Sequence, residues 1–186
     1  MSVQDNWELH GYVMTCRNDC IADDEGHIPL PLQQAMDGKY FQAELNRCAA
    51  MIMGRRAHQA IPNPKQRVRA IVSRNASALD HKKGGWWWNP AVMSMENMLR
   101  IVAPSGGKVA VIGGRETIAY FLQNGLQVLH VCRAESHAIK DGLKLFDACD
   151  GKTTADMVLR DKGMRLSERK LIDLKAPVSL STWRSD

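Results

Sequence analysis

Apolar and polar positions divide the start of the chain into a strand, a loop and a helix. Residues 9–16 are rich in strand formers and precede a turn-like polar cluster at residues 17–19, which predicts the first strand. Residues 22–31 hold three acids, a glycine and two prolines, a composition typical of a loop. From residue 33 to residue 50 apolar side chains recur at three- and four-residue spacings, which predicts one helix with an apolar face.

The chain then continues to alternate between strands and helices. A short apolar run at residues 49–53 ends at Gly54, and residues 55–61 predict a helix that Pro62 ends. Further strands are predicted at residues 69–73, 86–92, 108–112 and 126–132, with a helix at residues 116–123. This alternation indicates an α/β fold with a largely parallel sheet, in which ligands bind at the carboxyl ends of the strands.

The last part of the sequence has a different pattern. Two apolar stretches, residues 166–174 and 178–183, flank a short break that contains Pro177, and they predict an antiparallel hairpin at one edge of the sheet. No internal repeat and no linker divides the 186 residues. We therefore expect a single domain over residues 1–186, long enough to bury its own core.

Composition and charge exclude several classes of protein. The hydrophobic fraction of 45% is that of a globular protein, and no apolar run approaches the length of a membrane span. Residues 1–8 lack the features of a secretory signal, so we expect a soluble, cytoplasmic protein. A net charge of +5 suits anionic ligands or simply solubility. The densest basic stretch, residues 65–74, alternates with aliphatic rather than aromatic residues, so nucleic-acid binding is not expected.

Cysteine and histidine spacing gives no sign of a metal or a disulfide framework. The five cysteines include no Cys-x-x-Cys pair and are interpreted as reduced thiols. The six histidines show no His-x-x-x-His spacing, so no metal site is expected. The run Trp86-Trp87-Trp88 favours sheet packing over stacking on a flat ligand or a dimer contact.

Gly113 and Gly114 are the first candidate for a functional site. They lie between a predicted strand and a predicted helix, where glycines allow the backbone to approach a pyrophosphate and the free amides of the helix start attract its charge. A paired glycine after a strand is more often only a tight turn, so the pair alone does not predict a phosphate site.

Three segments together give a more specific signal. They are Asp-Gly-Lys-Tyr-Phe at residues 37–41, Met-Ile-Met-Gly-Arg-Arg at residues 51–56 and Val-Ile-Gly-Gly at residues 111–114. In residue type, order and approximate spacing they resemble the dihydrofolate reductase family. Residues 26–30 are similar to the mobile active-site loop of that family, and residues 141–146 to a degraded form of its Gly-Asp-x-x-Phe segment. The resemblance covers roughly residues 9–147 and implies a dihydrofolate reductase-like domain.

The resemblance implies that Asp37 is the catalytic carboxylate, which binds the amino group and ring nitrogen of a pterin. Hydride transfer to a C=N bond leaves a nitrogen that needs a proton, and a positioned carboxylate assists its arrival. A helix-start aspartate favoured by the helix dipole is the alternative. Phe41, four residues later on the same helix face, favours the catalytic role.

Further substrate contacts follow from the same resemblance. Phe41 matches the aromatic residue that packs against the middle ring of the substrate, although a purely structural core role is also open. Arg67 matches the arginine that binds the carboxylate of a folate tail, with a solvated surface role as the alternative. The other residues assigned to the substrate pocket are Met14, Leu30, Ile61 and Cys132.

The expected cofactor is NADPH. Gly54, Arg55 and Arg56 match the turn over the cofactor phosphates. Ser73 and Arg74 fall where the family recognises the adenosine 2′-phosphate, and an acidic residue there would instead favour a free ribose hydroxyl. The other expected cofactor contacts are Ala22, Ile112, Gly113, Gly114, Arg115, Glu116 and Thr117.

Several positions depart from the family pattern. Leu30 stands where tryptophan is usual, Cys132 where threonine is common, Gly38 replaces a larger apolar residue, and Ala57 replaces a threonine. Residues 165–184 resemble the end of the reductase half of bacterial riboflavin-biosynthesis enzymes, a sister group with the same fold and cofactor.

Three functions therefore remain. The first is NADPH-dependent reduction of a dihydropterin, either dihydrofolate or a relative such as dihydromethanopterin. The second is reduction of a ribosylated aminopyrimidine, and the third is non-catalytic ligand binding by the same fold. The expected partner is a small-molecule substrate, and either a monomer or a homodimer is compatible with the sequence.

Overall fold

A nine-stranded sheet with helices on both faces forms the protein. The computed structural model describes residues 6–36 and 38–185. The strands are β1 (Trp7–Cys16), β2 (Cys20–Ala22), β3 (Ala50–Gly54), β4 (Arg69–Val72), β5 (Leu79–Lys82), β6 (Gly85–Trp88), β7 (Gly107–Ile112), β8 (Val128–Ala134), β9 (Leu143–Lys144), β10 (Met164–Asp173) and β11 (Val178–Ser185). The helices are α1 (Leu30–Met36), α2 (Lys39–Asn46), α3 (Arg55–Ala60), α4 (Met95–Val102), α5 (Arg115–Gln123) and α6 (Ala155–Asp161).

The strand order of the main sheet is β10-β11-β8-β1-β7-β3-β4-β6-β5. Every neighbouring pair from β8 to β6 is parallel. At one edge β11 is antiparallel to β8 and β10 to β11, and at the other edge β5 is antiparallel to β6. β2 and β9 form a separate two-stranded sheet. The α/β fold with a mostly parallel sheet and the C-terminal hairpin at its edge are both confirmed.

The central strands are apolar because helices cover both of their faces. Eight of the ten residues of β1 are buried. Leu9 and Val13 point to the face that α4, α5 and α6 cover, where they join the largest apolar cluster. Tyr12 and Met14 point to the opposite face, under α1 and α2.

The predicted single helix over residues 33–50 is wrong in extent. The structure has two short helices, and Gly38 takes an extended conformation (φ −59°, ψ 150°) as the residue that precedes α2. Glycine weakens a helix because it gains backbone freedom when the helix is broken. The predicted helix is therefore interrupted at Gly38.

Two helices were not predicted although each begins with a side-chain cap. The hydroxyl of Ser94 accepts a hydrogen bond from the amide of Asn97 at 3.2 Å at the start of α4. The hydroxyl of Thr154 accepts from the amide of Met157 at 3.4 Å at the start of α6. Strand β5 was also missed. No helix of the described residues is both long and apolar enough to cross a bilayer.

The tryptophan run forms β6, which ends earlier than predicted. Trp88 is buried, and its indole N–H donates to the carbonyl of Met93 at 2.9 Å. The Trp87 ring lies 5.7 Å from the His58 ring, centroid to centroid, in an edge contact. The side chain of Asn89 bonds to the backbone of the segment after β4, which ends the strand after Trp88.

Candidate active site

Two strand-to-helix turns lie side by side at the carboxyl edge of the parallel sheet. Met53 near the end of β3 pairs with Ile112 at the end of β7, and each strand leads into a helix. A Cβ atom on Gly113 would lie 2.8 Å from Cβ of Thr117, and one on Gly54 would lie 3.1 Å from its hydroxyl oxygen. Thr117 therefore occupies the space between the two turns, and both turns have little room for a side chain.

The start of α5 offers free amide groups to a ligand. Gly114 precedes the helix in an extended conformation, and no side chain among the described residues caps it. A Cβ atom on Gly114 would meet only the end of the Ile21 side chain, at 3.9 Å. Uncapped amides at the start of a helix carry a partial positive charge that attracts an anion. Ala22, next to Ile21 on β2, is buried at the same edge.

Cationic side chains surround this edge. Arg55 and Arg56 begin α3 and are exposed, and Arg74 is exposed just beyond β4. Within residues 6–36 and 38–185 no carboxylate lies within ion-pair distance of these three guanidinium groups. Ser73 is half-buried, and its amide donates to the carbonyl of Trp88 at 2.8 Å, which extends the sheet to the residue before Arg74.

The remaining expected cofactor residues are in different surroundings. Arg115 forms an ion pair with Asp147, so its charge is compensated. Both residues line a shallow cavity of about 280 Å³ that Asp24 and Lys144 also line. Glu116, in the first turn of α5, is exposed.

The predicted substrate residues fall into two neighbouring apolar clusters. Met14 on β1 pairs in register with Cys132 on β8, and both are buried under α1. Phe41 and Ile61 belong to the second cluster, which also contains the cofactor-assigned Ile112. Burial raises the pKa of the Cys132 thiol to about 12, so this cysteine remains protonated.

Two further substrate assignments lie outside these clusters. Leu30 begins α1 with 64% of its surface exposed, so the structure does not bring it into the apolar pocket. Arg67 lies beside α2, where its Nη2 donates to the side-chain oxygens of Gln42 at 2.8 Å and Asn46 at 2.7 Å. These amides are neutral, and no described carboxylate pairs with Arg67. The guanidinium is therefore oriented but keeps its uncompensated charge.

The expected catalytic residue, Asp37, lies outside the described residues. The structure describes the chain up to Met36 at the end of α1 and resumes at Gly38 before α2. Among the described residues no group of His, Cys, Asp and Glu is arranged to hold a metal ion.

A sequence-family comparison decides the family. The model of the dihydrofolate reductase family matches residues 12–152, which is more than half of the chain. The chain belongs to the dihydrofolate reductase family.

Solved structures of this fold include members of both groups considered above. A protein of Shewanella sp. PV-4 named for riboflavin biosynthesis has a TM-score of 0.65 at 12% identity, over 96% of this chain and 99% of its own. The diaminohydroxyphosphoribosylaminopyrimidine deaminase/5-amino-6-(5-phosphoribosylamino)uracil reductase of Thermotoga maritima gives 0.63 at 16% identity, over 97% of this chain and 57% of its own. Dihydrofolate reductase of Enterococcus faecalis, complexed with NADP(H) and RAB-propyl, gives 0.61 at 18% identity and 95% of both chains. No curated protein matches the sequence.

One feature of this dihydrofolate reductase family member was not foreseen from its sequence. Beneath α2 lies a buried row of polar side chains. The ring nitrogens of His10 and His130 are 3.1 Å apart, the ring of Tyr12 stacks on His130 at 4.8 Å, and the Tyr12 hydroxyl donates to Glu44 at 3.4 Å. The sequence signal that could have indicated this row was the presence of His10, Tyr12 and His130 within otherwise apolar strands.

Burial determines how these groups titrate. Burial, and after it the nearby charge of His10, lower the pKa of His130 to about 4. Burial also raises the pKa of Tyr12. Burial alone would raise the pKa of Glu44, but the hydrogen bond and charge of Lys108, together with the charge of Arg47, lower it. At neutral pH the row therefore contains a neutral His130 and an ionised Glu44.

Proposed function

We propose that this protein is an NADPH-dependent reductase that transfers a hydride to a dihydropterin, either dihydrofolate or a relative such as dihydromethanopterin. The observation that carries the proposal is the pair of glycine turns that meet at Thr117, next to three arginines that have no carboxylate partner among the described residues. Such an arrangement suits a pyrophosphate together with a further phosphate group. Membership of the dihydrofolate reductase family supports the same assignment.

The chain's own residues have separate roles in this proposal. Gly113 and Gly114 would hold the cofactor pyrophosphate against the start of α5, because their lack of a side chain leaves the backbone accessible. Arg55 and Arg74 would bind the 2′-phosphate, with the hydroxyl of Ser73 as a hydrogen-bond donor. NADPH, when bound, supplies the hydride.

The substrate would lie between α2 and the sheet. Asp37 would bind the pterin amino group and ring nitrogen and favour protonation of that nitrogen. Phe41, Ile61 and Met14 would provide the apolar surface. Arg67 would bind the carboxylate of the substrate tail, since the amides of α2 orient its guanidinium without neutralising its charge. A reductase of this kind would act in one-carbon metabolism in the cytoplasm.

Reduction of a ribosylated aminopyrimidine is the second candidate. It is favoured by the nearly complete overlap of this chain with the Shewanella protein, 96% and 99% of the two chains. Arg67 would suit the phosphate of such a substrate as well as a carboxylate, because both anions accept paired hydrogen bonds from a guanidinium. Asp37 favours the dihydropterin, because a carboxylate matches the paired donors of a pterin ring.

A panel of substrates tests the proposal. The absorbance of NADPH is followed with 7,8-dihydrofolate, with a dihydropterin that lacks the glutamate tail and with the ribosylated aminopyrimidine phosphate. Oxidation with a dihydropterin is the expected result. Oxidation with the pyrimidine alone would replace the first candidate by the second. NADPH binding in a calorimeter without any oxidation would indicate a non-catalytic binding protein.

A further inference from the structure

Tyr12 lies between residues assigned to the substrate and residues assigned to the cofactor. It is 1% exposed, and on the sheet its register neighbours are Ile112 of β7 and His130 of β8. Ile112 is an expected cofactor contact, and Phe41, an expected substrate contact, belongs to the same apolar cluster. Tyr12 is therefore placed to influence how the two ligands sit relative to each other.

The Tyr12 side chain contacts α2 at two points. Its ring meets the edge of the Phe41 ring with centroids 5.7 Å apart and planes at 79°, a favoured geometry for an aromatic pair. Its hydroxyl donates to Oε2 of Glu44 at 3.4 Å. Phe41 and Glu44 are one helical turn apart, so both face the sheet. The other face of the Tyr12 ring is fixed by the stack on His130, at 4.8 Å and 17°.

Glu44 is itself held in place, which makes it a fixed acceptor. Arg47 donates to its Oε1 at 2.7 Å, and Lys108 on β7 donates to its Oε2 at 3.2 Å. The carboxylate thus connects α2 to two strands of the sheet. Loss of either the Tyr12 hydroxyl or the Glu44 carboxylate would remove the same link between β1 and α2.

We propose that Tyr12 is a positioning residue, which through its hydroxyl contact with Glu44 fixes the ring of Phe41 against the substrate. This role rests on the proposed function, because it requires a flat substrate that packs on Phe41. The hydroxyl has no part in hydride transfer. Its removal should therefore weaken substrate binding and leave the chemical step and the cofactor site unchanged.

The experiment is a double-mutant cycle of Tyr12→Phe and Glu44→Gln, read out by steady-state kinetics with the substrate that the panel identifies. Each single variant should raise KM about three- to tenfold, the effect expected from loss of one hydrogen bond. The kcat value and the Kd for NADPH should stay within about twofold of the parent values. The double variant should be no worse than the worse single variant, because both changes remove one shared contact.

Tyr120→Phe is the matched control. The ring of Tyr120 also meets a phenylalanine ring edge-on, that of Phe121 with centroids 5.1 Å apart, but it lies on α5 at the opposite face of the sheet. The KM of the Tyr120→Phe variant should therefore equal that of the parent. Urea unfolding of each variant detects a loss of stability. Lower stability with an unchanged KM would show a merely structural tyrosine and overturn the positioning role, as would additive effects on KM in the double variant or a fall in kcat.

Failure of the proposed function gives a different result. If the unmodified protein neither reduces nor binds any pterin or pyrimidine of the panel, the proposed function is wrong and the positioning role is wrong with it. If the unmodified protein turns over a substrate but Tyr12→Phe and Glu44→Gln match it in KM, only the positioning role is wrong.

Discussion

Acid should destabilise this protein through His130 in a pH range where carboxylates still remain ionised. His130 is 7% exposed and lies between the rings of His10 and Tyr12, with the Thr182 hydroxyl 3.4 Å from its Nδ1. Glu44 raises its pKa, but burial and the charges of His10, Lys108 and Arg184 together lower it to about 4. Folding therefore requires the neutral ring, and protonation favours the unfolded chain.

The size of the effect follows from the two pKa values. In the unfolded chain His130 titrates near 6.5, so as pH falls below that value the unfolded state takes up the proton first. Stability contributed by the neutral ring is complete above pH 6.5 and is lost progressively as pH approaches 4. At pH 5 the loss amounts to about 2 kcal/mol, and the slope approaches about 1.4 kcal/mol per pH unit.

Urea unfolding at a series of pH values from 8 to 5 measures this loss. His130→Gln keeps hydrogen-bonding groups next to His10 and Thr182 but cannot take up a proton. Its free energy of unfolding should fall by about 2 kcal/mol less than that of the parent over this range. His137→Gln is the control, because it removes an exposed histidine instead of a buried one. Its free energy of unfolding should depend on pH as that of the parent does. Equal slopes for His130→Gln and the parent would refute the reasoning.

Three further predictions concern the ligands. Gly113→Val should abolish NADPH binding by a protein that stays folded, since a Cβ atom there already meets Thr117 at 2.8 Å and the turn must shift to admit a side chain. Normal NADPH binding by the folded variant in a calorimetric titration would contradict this. NADPH should bind more tightly than NADH, and Arg74→Gln should lower the ratio of the Kd for NADH to the Kd for NADPH by about ten- to a hundredfold. Equal Kd values of the unmodified protein for the two cofactors would disprove the assignment. Asp37→Asn should lower kcat about 10²- to 10⁴-fold, with a partial recovery of kcat at low pH and no change in NADPH affinity. Near-parental turnover across pH 5 to 8 would rule out a catalytic role for Asp37.

The sequence predicted the parts of the fold that local patterns encode. The parallel strands were recognisable because continuous apolar runs, such as residues 109–112, mark strands covered on both faces. The break between α1 and α2 was missed because the apolar periodicity continues across it, although Gly38 in an extended conformation interrupts the backbone. Helices α4 and α6 were missed although Ser94 and Thr154 are typical capping residues, because each helix is short, with eight and seven residues, and leaves few positions over which an apolar spacing can repeat.

Residues of the candidate site that belong to family motifs could be predicted from the sequence. Contacts between residues far apart in the sequence could not. Gly54 and Gly113 were assigned from motifs, but their common contact with Thr117 follows only from the alignment of β3 with β7. The ion pair of Arg115 with Asp147 joins residues 32 positions apart in sequence. The stack of Tyr12 on His130 depends on the register of β1 with β8, which no local pattern specifies.

The position of β1 in the middle of the sheet has a consequence during synthesis of the chain. β1 is made before the other described strands of the sheet, yet its neighbours in that sheet are β7 and β8. The ribosome must add residues 17–107 before the first residue of β7 exists, which takes about 5 to 20 s at typical elongation rates. For that interval ten residues, eight of which end up buried, have no strand to pair with. The nascent chain should therefore depend on holding chaperones more than a chain whose first strands form a hairpin.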